Sequence, residues 1–141
     1  MVASLAHDHW RGEWRRQKGE KPRIMKTTDA AWIAARGGAT GLDIAATPYD
    51  GLPADWQREN KLAAAVAVDQ ILLSIMSDTP LQDYFGFVER AAAVVHAKWV
   101  ERNDSWCNEE LKKPYDELPE GEKEKDRLFV RQVIEVLRQN I

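Results

Sequence analysis

Apolar residues recur along this chain at three- and four-residue spacings in four stretches, and each stretch predicts a helix. The first covers about residues 4–18, where Leu5, Trp10 and Trp14 give a partly apolar face. The second opens at Leu52-Pro53 and is carried to Met76 by alanine, leucine and valine. Proline suits the first helical position, where its missing N–H costs nothing, and Asp55 complements the helix dipole in the first turn. Ser77-Asp78-Thr79-Pro80 separates it from a third helix over about residues 80–102, built on the stripe Leu81, Tyr84, Phe85, Val88, Ala92, Val95 and Trp99. The fourth begins at Leu118-Pro119, with Glu120, Glu122 and Glu124 early, and ends near Arg138. Phe129, Val133, Val136 and Leu137 form its expected buried face.

The connections are less regular. Residues 19–47 contain Pro22 and the cluster Gly37-Gly38-Ala39-Thr40-Gly41. A short helix is expected at 29–36, capped by Asp29 or Thr28, and a short strand at 42–45. Ordered structure, disorder and a lid all remain open for this stretch. The glycine cluster lacks the Lys-Ser/Thr ending of a phosphate-binding loop, so it reads as a flexible loop. Residues 103–113 are polar and read as a loop.

Self-comparison decides the architecture. Pro48-Tyr49-Asp50-Gly51-Leu52-Pro53 matches Pro114-Tyr115-Asp116-Glu117-Leu118-Pro119 at five of six positions. Each copy opens a long helix. Upstream, His7-Asp8-His9-Trp10 matches His96-Ala97-Lys98-Trp99 as a His-x-x-Trp pair. The order helix, loop, PYDxLP, helix therefore occurs twice, over about residues 1–76 and 81–141, and the first copy carries an extra segment at about 22–41. One two-helix unit buries its apolar stripe poorly. Two together form one compact domain, so the expected fold is mainly α: a pseudo-two-fold pair of helix-loop-helix units with short strands in the loops.

The second copy, with Trp106 following Trp99 and with the run from Pro114 through Glu120-Gly121-Glu122-Lys123-Glu124-Lys125-Asp126-Arg127, resembles the ryanodine receptor (RyR) repeat. That family has a histidine and a tryptophan on its first helix and a PYDxLPExEKExDR segment opening the second. The turn Ser105-Trp106-Cys107-Asn108 keeps only the tryptophan of the family's glycine-tryptophan-tyrosine-glycine-like turn. The first copy is a weaker match, with Asn60 where the second has Asp126. The resemblance implies a tandem pair of non-catalytic cytoplasmic modules. It also implies a similarity to prokaryotic and phage relatives suggested to sense ligands, including nucleotide-derived signals.

Two readings of the repeated residues follow. In the first, Tyr49 and Tyr115 pack in the core with their hydroxyls on backbone partners. Asp50 and Asp116 then accept N–H groups in the turn, and His7 and His96 bond to the other motif, for instance to those aspartates. In the second, Tyr49, Asp50, Tyr115 and Asp116 line a groove between the repeats, with His7, Trp10, His96 and Trp99 around them and Arg11 and Arg15 at the rim. A small nucleotide-like or other anionic ligand is the expected occupant. No serine, cysteine or paired carboxylate stands at a fixed spacing from both histidines, so no catalytic residue is expected.

Composition narrows the partners. A formal charge of −3 gives no global case for nucleic acid or anionic membrane. The segment Arg11, Arg15, Arg16, Lys18, Lys21, Arg23 and Lys26 is nevertheless basic, opposed only by Glu13 and Glu20. It suits phosphate groups, or else a solvated face balanced by the acidic stretch 116–126. His7 and His9 point apart on a helix, and Cys107 is the one cysteine, so neither a metal site nor a cofactor is expected. The opening 20 residues hold no apolar run fit for a signal peptide, which makes a cytoplasmic location the expectation. The alternative to a small-ligand module is a protein–protein interaction or scaffold module, whose contact surface would be an exposed apolar patch.

Overall fold

The computed structural model describes residues 1–77 and 83–140 and is mainly helical, as the periodicity predicts. The expected helix start at Pro80 and the apolar position Leu81 lie outside the described residues. The elements are α1 (Val2–Lys18), β1 (Ile24–Lys26), α2 (Ala30–Ala34), β2 (Gly41–Asp43), α3 (Ala54–Met76), α4 (Tyr84–Asn103) and α5 (Glu120–Gln139). Short 3-10 turns occupy Tyr49–Gly51, Glu109–Lys112 and Tyr115–Glu117. Among the described residues no helix is long and apolar enough to cross a membrane. The chain divides into two compact units, Met1–Leu62 and Ala63–Ile141, so the division falls within α3, short of Met76.

In the first unit, Arg15, Arg16 and Lys18 complement the C-terminal end of α1, and Gly19 closes it with its N–H on the Arg15 carbonyl. The 22–41 segment is built, not loose. β1 pairs antiparallel with β2, Met25 opposite Leu42. Asp29 caps α2 by accepting the Trp32 N–H at 2.9 Å, and its other oxygen accepts the Ala54 N–H at 2.9 Å, so one carboxylate serves the starts of two helices. The glycine cluster ends α2. Gly38 N–H reaches the Ile33 carbonyl and Gly37 N–H the Ala34 carbonyl, with Gly37 at φ 63°, the left-handed geometry that favours glycine. The expected strand is two residues shorter at its end, because Asp43 turns to bond the Arg23 and Ala45 N–H groups.

Leu52 and Leu118 are extended, as residues before proline should be (ψ 147° and 149°). Pro53, expected at the first helical position, stands just outside α3, which begins at Ala54, and Pro119, extended at ψ 147°, likewise stands just outside α5. In the second unit α4 packs directly on α5. Phe87, Val88, Ala91, Ala92 and Val95 are buried with Val130, Val133 and Val136. Two residues of the expected α4 stripe depart from it: Tyr84 and Phe85 are exposed, because the buried face passes through Phe87 and Ala91 instead.

Candidate functional site

The repeated residues meet within each unit. In the first, His7 on α1 stacks on Trp10, 5.8 Å between ring centroids, and lies 6.4 Å from the Tyr49 ring. In the second, His96 on α4 stacks on Trp99 at 6.4 Å and lies 6.5 Å from Tyr115. His7 Nε2 meets the Thr47 carbonyl at 2.9 Å, and His96 Nε2 meets the Lys113 carbonyl at 3.3 Å. Each of these carbonyls belongs to the residue immediately before the PYD proline. A carbonyl only accepts, so Nε2 carries the proton in both rings. The expected partners Asp50 and Asp116 are not used. Both carboxylates are exposed and make no hydrogen bond among the described residues. The turn closes by backbone bonds, Gly51 N–H to Pro48 and Glu117 N–H to Pro114, which leaves those aspartates no donor to satisfy.

The tyrosines are buried, which favours the architectural reading of the motif. The Tyr49 hydroxyl donates to the Gln57 carbonyl at 3.4 Å, and the Gln57 amide donates back to the Tyr49 and Leu52 carbonyls at 3.2 Å each. Asp8 accepts the Tyr49 N–H at 3.2 Å, fastening the turn to α1. The Tyr115 hydroxyl is buried and finds no hydrogen-bond partner of good geometry. Burial first, and the neighbouring Glu89 carboxylate next, push this phenol up to about 12. Arg127 pairs with Glu89 and, at 2.8 Å, with Glu120 beside it.

The copies differ electrostatically at one position. His96 Nδ1 lies 3.4 Å from Asp126 Oδ2. With Nε2 already donating to Lys113, that contact needs a second proton, on the ring or on the carboxyl. Burial pushes the Asp126 carboxyl up to about 6, against the opposing pull of His96. The first copy has Asn60 there, and its amide donates to the Trp56 carbonyl at 2.8 Å. His7 is lowered from its usual value, by burial above all. Asp126, Arg127, Glu89 and Gln57 are absent from the sequence-based site list. Asp126 could have been found: it continues the apolar spacing of Val130 and Val133 and is therefore a carboxylate on a buried face.

The basic segment also resolves into parts. Arg11 spends its guanidinium on the Ala45 and Ala46 carbonyls at 3.2 Å each, with Asp8 at 3.3 Å, and so ties α1 to the chain before the PYD turn. Arg16 pairs with Glu13. Arg15, Lys18, Lys21, Arg23 and Lys26 are exposed, and no carboxylate lies within ion-pair distance of them among the described residues. Trp14 Nε1–H donates to the Lys21 carbonyl at 2.7 Å, and the Arg23 N–H donates to Asp43 at 2.9 Å, which holds this stretch in place. The acidic stretch finds its bases on its own helix: Glu120 and Glu124 hold Arg127, Glu124 also Arg131, and Glu122 Lys125.

Comparison with models of protein families, with curated proteins and with solved structures finds no match to this chain.

Proposed function

We propose that the chain is a non-catalytic binding module for a small anionic, nucleotide-like ligand, held on the basic surface of the first unit. The observation that carries this reading is the set of exposed cations Arg15, Lys18, Lys21, Arg23 and Lys26, unpaired among the described residues, on an ordered segment. Met1–Leu62 carry ten Lys and Arg against eight Asp and Glu, whereas Ala63–Ile141 carry ten against fifteen. Several carboxylates of the first unit are occupied: Asp8 by Arg11, Glu13 by Arg16, and Asp29, Asp43 and Asp55 by backbone N–H groups. Phosphate oxygens are the acceptors such a surface suits. The histidines support the absence of turnover in the proposal. Each repeated ring commits Nε2 to a backbone carbonyl, so neither offers that nitrogen as a base.

Thermal unfolding against a panel of nucleotides, cyclic dinucleotides and ADP-ribose derivatives tests this. A ligand at 100 times its dissociation constant adds about 2.7 kcal/mol, several degrees in Tm for a chain of this length. The expected shift disappears in Lys21→Glu/Arg23→Glu and persists in Asp116→Ala. No shift across the panel, or a shift untouched by the charge reversals, rules the proposal out.

A further inference from the structure

His7, Trp10 and Trp14 follow one another along one face of α1 as a ladder of rings, with centroids 5.8 Å and 5.5 Å apart. The ladder starts in the core, where His7 is buried, and ends at Trp14, which is only half-buried. Past Trp14 the chain turns back on it. Gly19 N–H closes on the Arg15 carbonyl at 2.8 Å, Lys21 N–H on the Lys18 carbonyl at 3.3 Å, and the Trp14 indole N–H on the Lys21 carbonyl at 2.7 Å. That last bond sets Lys21 beside the ring, and Lys18, one turn on from Trp14, shares its helix face. The indole has one polar atom and has spent it, so the ring offers a ligand its π surface alone. Among the described residues no cation lies over that surface, whereas Arg36 covers the Trp32 ring at 3.9 Å.

We propose that Trp14 is the stacking platform of the basic surface, so that its ligand is a nucleoside phosphate, with the base on the indole and the phosphate oxygens on Lys18 and Lys21. The inference rests on the anionic-ligand reading above and adds to it a requirement for the base. An aromatic ring held by its own hydrogen bond, with cations beside it that no carboxylate pairs among the described residues, takes a flat base and a phosphate together. The second copy provides the contrast. Trp106 extends the ladder of His96 and Trp99, 6.0 Å from Trp99, and its N–H is likewise spent, on the Asn103 side chain at 3.1 Å. Trp106 is 70% exposed, but the lysines of its loop are taken: Lys112 by Asp104 and Glu109, and Lys113 by Glu110. A ring is on offer there without the lysines that would hold a phosphate.

Titration calorimetry of the full chain with ATP and cyclic di-AMP, set against inorganic tripolyphosphate, decides it. Tripolyphosphate carries at least the charge of ATP, so charge alone predicts that it binds as tightly. The expected result is that at least one of the two nucleotides binds at least about tenfold more tightly than tripolyphosphate. Trp14→Leu should weaken that nucleotide by about 5–150-fold, the worth of one stacked base, and leave tripolyphosphate unchanged. Lys18→Glu/Lys21→Glu should weaken all three, and Trp106→Ala none. Tripolyphosphate binding as tightly as the nucleotides overturns the inference and leaves the anionic surface standing without a stacked base. A folded Trp14→Leu that keeps the nucleotide preference overturns it too. No binding of any of the three at about 1 mM overturns both readings together. Should Trp14→Leu lose its helical circular dichroism, the order of nucleotide and tripolyphosphate on the native chain decides alone.

Discussion

Replacing Asp126 by asparagine changes the pH dependence of stability in a direction the structure specifies. The carboxyl is buried, one fifth exposed, and its folded-state pKa is raised from 3.8 to about 6. A raised carboxyl pKa means the folded chain holds the proton more tightly than the unfolded chain. Stability from this group is therefore full below about pH 4 and is lost as pH rises through about 6. At about 1.4 kcal/mol per pKa unit, the penalty at pH 7 is on the order of 3 kcal/mol. Asparagine carries no such penalty, and its amide can donate to His96 Nδ1 while Nε2 keeps the Lys113 carbonyl. His7 titrates the other way: its pKa is lowered, so stability is lost as pH falls below about 6.5. It is common to both proteins and cancels in their difference. The carboxylates held low, such as Asp29 and Asp55, cancel as well. Thermal unfolding of both proteins from about pH 4 to 7 should show Asp126→Asn gaining steadily on the native chain, by roughly 6–10 °C at the upper end. A difference that is flat with pH, or that shrinks as pH rises, refutes the reasoning.

Two further substitutions test the packing of the motif. Tyr115→Phe removes a buried hydroxyl that makes no hydrogen bond of good geometry among the described residues, so urea unfolding should find it within about 0.5 kcal/mol of the native chain or up to about 1 kcal/mol more stable; a loss above about 2 kcal/mol would mean the hydroxyl is bonded to the neighbouring Glu89 carboxylate. Gln57→Ala strands the Leu52 carbonyl and takes from the Tyr49 carbonyl one of its two donors, leaving it the Leu52 N–H, and should cost about 1–3 kcal/mol in the same assay, with a negligible change contradicting the amide's place in the turn.

The helices were legible because their signals are local. Period, proline, and glycine or aspartate at the ends give α1, α3, α4 and α5 to within a few residues, and Asp29 announces α2. β1 was not legible. Ile24-Met25-Lys26 has no alternation long enough to mark a strand, and it exists because β2 lies opposite. The α4 stripe holds at Val88, Ala92 and Val95 and fails at its start, where Tyr84 and Phe85 are exposed: in a segment apolar at most positions, period alone does not say which of the first residues face inward. The site residues were found by repetition, but repetition does not separate a ligand from a hinge pin. The burial of both tyrosines and both histidines, and the commitment of the histidines to carbonyls, came only from the packed chain. Arg11 illustrates the limit. Its charge suggests a rim for anions, yet its guanidinium closes on two carbonyls thirty-four and thirty-five residues away.

The bond from each histidine runs to a main-chain oxygen, and every residue type supplies one. The first copy has threonine at that place and the second has lysine, yet the contact is the same. Position 47 or 113 is thus free to drift in identity, provided the proline after it keeps the carbonyl aimed at the ring. A motif anchored in this way tolerates spelling changes at its most important contact, and two copies can diverge in wording while remaining mechanically interchangeable.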